Sequence, residues 1–513
     1  MELKTRLLDI QAGGRRIAIL DDETASLLGV HSSDRVNITY KNQKIIAIVN
    51  IATNFPHNHI GLYEEISKTL GIKAGEDVEV QLAQIPEALS YVRAKIRGER
   101  LRENEIKSIV RDVVERHLSD VELASFVTAL YIRGLSMSEI EILSKAMVET
   151  GKTLNLNKSP ILDKHSIGGM PGDKTSILIV PIIAAAGLII PKTSSRAITS
   201  PAGTADRVET LCPVNLTIEE IKEVVEKTNG CMVWGGALEL APADDLFIQV
   251  EYPLGIDPLL LPSIMSKKKA MGATHIVIDI PTGRGVKIKT IEEAHTLAQD
   301  FIDLGKRLGI DVQCAITFGE QPLGYTIGPA LEAKEALSTI MGNGPADLKE
   351  KAVNVAGILF EMVGIENGKK KAESILRSGE AERKLREIIG AQGGNSKIMP
   401  DDIKIGDKKA EVTTTEDGRV LWINNESIAQ VAREAGAPKE KGSGVMLKVK
   451  LEDQIRKGEI LFEIYAERST KLEAALGLAE KLNPIRVSEK LEERMLIDRV
   501  PTRIIHKTFT LER

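Results

Sequence analysis

Cysteine is scarce in this chain: Cys212, Cys231 and Cys314 are the only three in 513 residues, with neither metal-ligand spacing nor an even count. That excludes a disulfide framework and a zinc ribbon, and it fits a reducing, cytoplasmic setting. An excess of positive charge is also missing, since 68 Lys and Arg against 73 Asp and Glu leave a net charge of -5. Without a global basic surface, nucleic acid is not expected as the main partner. The longest apolar run, Ile177 to Ile190, is interrupted by Pro181, is too short to span a bilayer and reads as a buried helix. The first residues, Met-Glu-Leu-Lys-Thr-Arg, lack an apolar signal core, so neither export nor a membrane partner is expected. Aromatics are only 3% beside abundant Lys and Glu, a composition compatible with a heat-loving source.

What remains suffices for two to four domains with substantial cores. The first 85 residues look strand-rich and carry an internal repeat: Glu23 to Val30 followed by Asp34 to Ile38 recurs 42 positions later as Glu65 to Ile72 followed by Glu76 to Val80. Each copy reads as a short helix ending at Gly, a turn and a strand, which predicts a small pseudo-twofold β-barrel. His57 and His59 in its loop read as surface histidines or as a metal pair.

The next stretch, to Gly151, is helical. Ser119-x-x-Glu122 and Ser136-x-x-Glu139 are capping boxes, with Gly134 between the two helices they open. Leu123, Phe126, Val127 and Leu130 recur at helical spacing and read as core. From Leu154 strands alternate with helices, the clearest elements being Ile177–Val180, Cys231–Trp234, His275–Ile280 and Asp311–Thr317. Such alternation implies an α/β domain with a largely parallel sheet, whose strand-end loops build a site. Beyond Gly406 short strands take over, as in Gly418 to Trp422 and Val445 to Lys450. Leu451 to Leu461 resembles half of a lipoyl- or biotinyl-type barrel but presents no carrier lysine, so a structural C-terminal domain is expected.

Candidate chemistry gathers between Asp163 and Glu209. The first half, from Lys164, His165 and Ser166 through Gly168, Gly169 and Gly172 to Ser176, is a Gly-rich turn seeded with Lys, Ser and Thr. Glycines let backbone N–H groups approach an anion, and a following helix start adds its positive end. The second half, Ser194 to Thr204, packs five hydroxyls and Arg196 into eleven residues. Two anion loops so close suggest a substrate with two phosphates, or one phosphate and a sugar. Further on, Lys287 follows the Gly-rich end of a predicted strand, where an ammonium reaches a phosphate.

The Lys-His-Ser-x-Gly-Gly turn, with Ser-Ser-Arg and Gly-Thr-x-Asp-x-x-Glu behind it, resembles the signature pair of the thymidine phosphorylase family. Ala241 to Asp244, Ser263 to Lys268, Gln321 to Gly324 and Gly342 to Leu348 match the same family in order, so the resemblance covers nearly the whole chain. The long N-terminal extension and Ser195-Arg196-Ala197-Ile198-Thr199-Ser200 resemble its archaeal, nucleotide-acting branch. The resemblance implies a multidomain α/β fold: a barrel-like domain at 1–85, an all-α lobe at 86–151 plus about 240–272, an α/β phosphate-binding lobe at 152–239 plus about 273–405, and an α+β domain at 406–513. It implies a pentosyl transfer without a cofactor or metal, in which inorganic phosphate cleaves a nucleoside 5′-monophosphate, AMP first and CMP or UMP also. A homodimer or larger assembly, built through the N-terminal extension, is implied as well.

Site residues follow from the same resemblance. Lys164, Ser166 and Ser176 are expected on the attacking phosphate. Gly169, Ser195, Arg196, Ala197, Ile198, Thr199, Ser200, Thr204, Ser263 and Lys287 are expected on the nucleotide. Pyrimidine-acting members carry Gly-Arg-Gly in the second loop, His at the place of Ser200, and a base-contacting Arg where this chain is apolar near Ile248. Here Asp257, ahead of Ser263, resembles the acid that protonates a leaving purine. An ordinary Asp, with a pKa of about 3.9, is ionised at neutral pH, so this role requires desolvation. Ser263 and Lys267 share a helix face toward the base, and His165 is a second acid or a base or phosphate contact. The alternatives are a pyrimidine nucleoside phosphorylase, an anthranilate-type phosphoribosyltransferase using Mg²⁺ on Asp244 and Asp245, and a scaffold built on the two barrel-like ends.

Overall fold

In the computed structural model, which describes residues 1–197 and 200–488, the N-terminal repeat becomes a closed six-stranded barrel. Its strands are β1 (Glu2–Leu7), β2 (Ile17–Leu20), β3 (Arg35–Tyr40), β4 (Gln43–Ile51), β5 (His59–Leu62) and β6 (Asp77–Leu82), in the order β1-β5-β2-β4-β3-β6. The offset that takes α1 (Asp22–Leu28) onto α2 (Glu64–Leu70) also takes Ile17 onto His59 and Arg35 onto Asp77. Pairing obeys the same symmetry, β1 running parallel to β5 as β2 runs parallel to β4. Both helices stop at a left-handed glycine, Gly29 at φ 68° and Gly71 at φ 60°, a conformation that strains any residue with a β-carbon. His57 is held 2.7 Å from the N-capping Asp21, and His59 bonds the His57 carbonyl.

A helical lobe follows: α3 (Ala88–Ile96), α4 (Glu103–Val114), α5 (Asp120–Arg133) and α6 (Met137–Glu149). Both predicted capping boxes form, Ser119 with Glu122 and Ser136 with Glu139. Leu123, Phe126, Val127 and Leu130 turn into the lobe's core, where Ala243, Phe247 and Leu259 join them from far along the chain.

The α/β part has five parallel strands, β7 (Leu162–Ser166), β8 (Ile190–Ser194), β9 (Gly230–Trp234), β10 (His275–Thr282) and β11 (Asp311–Phe318). They pair as β11-β10-β7 and β8-β9, and a parallel bridge from Ile161 to Ile189 links the two sets. Between them run α7 (Ser176–Ala185), α8 (Thr204–Val208), α9 (Ile218–Thr228), α10 (Pro242–Leu254), α11 (Leu260–Ala270) and α12 (Ile291–Leu308). β12 (Thr326–Ile327), α13 (Pro329–Ile340), α14 (Ala346–Met362), α15 (Gly368–Arg377) and α16 (Glu380–Ala391) complete it. Ile177–Val180, within the apolar run that reads as a buried helix, is helical and not one of the alternating strands. It lies inside α7, which is buried on every side, and a fully buried helix is apolar all round like a buried strand, so periodicity does not separate them.

The C-terminal part has β13 (Lys408–Thr413), β14 (Gly418–Ile423), α17 (Asn425–Glu434), β15 (Gly444–Leu447), β16 (Gln454–Ile455), β17 (Ile460–Ala466), α18 (Ser469–Leu482) and β18 (Ile485–Ser488). Its antiparallel sheets, β12-β15-β17-β13 and β16-β14-β18, share one apolar core with α17 and α18. Among the described residues no helix is long and apolar enough to cross a membrane.

One residue holds the helical lobe at three points. Glu139 closes its capping box, accepts the N–H of Leu101 at 3.0 Å and pairs with the buried Lys95 at 2.8 Å. Glu139→Ala leaves that ammonium buried and unpartnered, so a loss of about 3–5 kcal/mol is expected in urea unfolding. Ser119→Ala, which removes only a cap, is expected to cost about 1 kcal/mol in the same measurement.

Candidate active site

Strand alternation sends Asp163 and Lys164 to opposite faces of β7. Lys164, almost fully buried, donates to Thr175 Oγ1 at 2.8 Å and lies 3.5 Å from Asp173 and 4.0 Å from Asp279. Lys351 of α14 closes this network, 2.8 Å from Asp279 and 3.6 Å from Asp173. Burial works to raise the Asp173 carboxyl, yet Lys164 and Lys351 outweigh it and hold it well below the usual carboxylate range. On the other face Asp163 pairs with Lys268 at 2.7 Å and faces Lys192 at 3.7 Å. Burial, and then Lys268, Lys192, Lys164 and Lys267, push His165 well below its ordinary value. The imidazole is therefore neutral at pH 7.

Between these charge networks the first loop turns on Gly168 and Gly169, at φ 86° and 92°. Ser166 Oγ stands 3.5 Å from the Gly168 N–H, and Ser176 begins α7, buried behind the loop. Thus Lys164, Ser166 and Ser176 come together around one Gly-rich turn, with the Lys164 ammonium and Ser176 on its buried side.

The second loop is organised by Asp206. One of its carboxylate oxygens accepts the N–H of Ala197 at 2.7 Å and of Gly203 at 2.9 Å. A β-carbon on Gly203 would stand 2.6 Å from the Ala197 nitrogen, so only glycine lets the loop close. Arg196, expected on the nucleotide, instead forks onto Glu209 at 2.7 and 2.5 Å, reaches Asp206 at 3.3 Å and lies over the Trp234 ring. Arg196, and then burial opposed by Lys441, set the Glu209 carboxyl at about 2. The guanidinium thus shapes the loop. Ser195 and Ser200 are exposed, Ser200 bonding the Ala202 carbonyl, and Thr204 opens α8. Ile198 and Thr199 lie outside the described residues. From this loop a groove of about 950 Å³ runs to Lys439, Lys441 and Arg468.

Across from the first loop stands Asp257, at the link between α10 and α11. Its carboxylate is 2.9 Å from the Lys287 ammonium, and both side chains are roughly half exposed. Lys287 in turn abuts Gly169: a β-carbon there would sit 2.9 Å from the Lys287 nitrogen. Asp257, Lys287 and Gly169 therefore form one constellation joining the two lobes. Ser263 and Lys267 do share a helix face, as expected, but both turn to Asp244, at 2.8 and 2.6 Å. Asp244 is fully buried and thus engaged within the chain, unlike an open metal ligand.

Sequence reasoning missed Asp206, Glu209, Lys192, Lys351 and Lys441 as parts of the site. Asp206 and Glu209 lay inside the quoted motif, where Gly-Thr-x-Asp-x-x-Glu already spaced them one helical turn apart. Lys441 reaches Glu209 at 2.6 Å from the C-terminal part and carried no local signal.

Comparison with known proteins accounts for these parts. The helical bundle domain of the glycosyl transferase family matches residues 89–151, and that family's a/b domain matches 158–382. The pyrimidine nucleoside phosphorylase C-terminal domain matches 420–486. Anthranilate phosphoribosyltransferase from Thermus thermophilus superposes with a TM-score of 0.50 at 23% identity, over 59% of this chain and 98% of that one, which is a likeness of fold. Together these parts define a glycosyltransferase of the nucleoside phosphorylase class. Among full-length relatives, the AMP phosphorylase of Thermofilum pendens is 50% identical over 500 residues, 98% of each chain. Those of Thermococcus kodakarensis and Methanocaldococcus jannaschii are 50% and 47% identical, each covering 96% of this chain and 99% of their own. The chain belongs to the AMP phosphorylase family.

Gly169→Ala tests the packing at the cleft. The residue must hold φ 92° while its new methyl group meets the Lys287 backbone, a strain of about 1–3 kcal/mol. Loss of nucleotide affinity by roughly tenfold or more is expected in calorimetry, with circular dichroism unchanged.

Proposed function

We propose that this chain catalyses the phosphorolysis of AMP, releasing adenine and α-D-ribose 1,5-bisphosphate, with CMP and UMP as further substrates. The observation that carries this reading is the Asp257–Lys287 pair spanning the two lobes beside Gly169. It puts an acid and a cation at one cleft, and near-full-length relatives named AMP phosphorylase support the substrate.

Inorganic phosphate attacks the anomeric carbon as the bond to the base breaks. Positive charge grows on the ribose and negative charge on the adenine, so the protein must hold the anionic nucleophile and protonate the leaving base. Lys164, Ser166 and Ser176 hold the attacking phosphate at the first turn. The loop from Ser195 to Ser200, with Thr204, holds the ribose and 5′-phosphate. Lys287 binds a substrate phosphate and in doing so releases Asp257. Freed of its cation and cut off from water as the cleft closes, Asp257 in its acid form donates a proton to purine N7.

Asp244 is already engaged by Ser263 and Lys267, which favours this reading over a magnesium-dependent phosphoribosyltransferase. The chain acts in the cytoplasm as a homodimer or larger assembly, with the N-terminal barrel as the assembling element.

With AMP, phosphate and no added metal, phosphate-dependent release of adenine is expected, with adenosine inert; turnover of adenosine or uridine but not AMP would refute the nucleotide reading. Asp257→Asn is expected to keep AMP binding and to lower kcat by roughly 10²–10⁴-fold. Deleting residues 1–85 is expected to reduce the particle mass in light scattering below that of the full chain by more than the deleted segments account for.

A further inference from the structure

Glu251 is a buried acid that none of these roles uses. It stands on α10, and its backbone carbonyl accepts the N–H groups of Gly255 and Ile256, the latter at 3.2 Å. Its side chain reaches past the helix end, where Oε1 accepts the N–H of Leu259 at 3.2 Å. One residue thereby grips both ends of the link from Gly255 to Leu259, with Asp257 at its centre. Leu259 and Ile256 also pack against the helical lobe's core, but the backbone between them depends on Glu251: Gly255 turns it in the left-handed region at φ 63°, and Pro258 has no N–H to give.

We propose that Glu251 is a positioning residue for phosphorolysis, clamping the backbone on both sides of Asp257 so that the donor carboxyl is aimed at Lys287 and the leaving base. The inference rests on the proton-donor reading of Asp257. Charge completes the device. Burial, and then the charges of Asp257 and Asp244, push the Glu251 carboxyl up to about 8, against the opposing pull of the Leu259 N–H and Lys287. Asp244, one of those two charges, is itself paired with Lys267 at 2.6 Å. At neutral pH the clamp is an uncharged acid. Once ionised, it adds a negative charge behind Asp257, and Lys287 is drawn more tightly to the pair and away from a substrate phosphate.

The test measures kcat and the KM for AMP on both sides of that pH, using the full-length chain, Glu251→Gln and Glu251→Ala. In the wild type the KM is expected to rise as pH passes about 8. Glu251→Gln keeps the acceptor and the shape without the charge, so it should keep the low-pH kcat and lose that rise. Glu251→Ala frees the link, and a displacement of about 1 Å costs on the order of 10²-fold in kcat. An alanine variant with wild-type kcat, or a glutamine variant with the wild-type pH dependence of KM, would overturn the proposal. If the alanine variant does not fold, the glutamine variant decides.

Infrared difference spectra provide a readout independent of turnover. A protonated carboxyl C=O band is expected in the wild type at pH 7, absent in Glu251→Gln, and titrating at lower pH in Asp257→Asn because one repelling charge is gone. Absence of the band, or no shift in Asp257→Asn, overturns the clamp. A wild type that releases no adenine but shows the band and its shift overturns the phosphorolysis reading instead.

Discussion

Asp279 sits in the central strand β10 with no exposed surface, and its charge is tolerated only because Lys351 and Lys164 flank it. Removing one ion from water costs several kcal/mol, so two acids and two lysines beneath the first loop must stay mutually paired. That constraint fixes the register of β7 against β10, draws α14 against the sheet, and gives Asp173 a single place at the turn. The opposite face of β7 obeys the same rule with Asp163, Lys268 and Lys192. Lys268 lies on α11, which packs against α6, so this second network helps to tie the helical lobe to the sheet. A buried, charge-paired floor under the first loop is the result.

The same economy of charge governs the cleft. Asp257 and Lys287 neutralise each other across the lobes, and each is free for chemistry only when the other finds a new partner. Arg196 is a contrast. Held by two carboxylates and an aromatic ring, it shapes the second loop. Arginine's planar fork suits such a fixed bidentate role better than a lysine would.

The C-terminal part is wired into this arrangement. Lys450 donates to the carbonyls of Pro322 and Gly324 and pairs with Asp347, which also accepts the Gly324 N–H. The Gln321 to Gly324 and Gly342 to Leu348 motifs therefore meet at one lysine from another part of the chain. Fully buried Lys174, just past the first loop, donates to Leu323 and Thr326 at the same spot. These motifs join the phosphate turn to the C-terminal sheets.

Local rules made much of this legible. Repeat spacing predicted the barrel's symmetry, capping boxes predicted the starts of α5 and α6, and the paired Gly-rich stretches marked two loops, because each depends on residues within a few turns of one another. Family motifs extended that reading to Asp257 and Lys287. Where the physics is non-local, the sequence by itself said less: the composition of Ile177–Val180 suits a strand as well as a buried helix, and its packing makes it α7. Partner choice was the larger gap. Ser263 and Lys267 are polar groups of the kind that bind substrate, and nothing near them in the chain says that they pair with Asp244, 19 residues before Ser263; Glu209, by contrast, stands in the same motif as its partner Arg196. Sequence determined which chemistry is available and in what order along the chain; the tertiary structure decided which charges cancel and which remain, because an ion pair depends on distance in space and on burial.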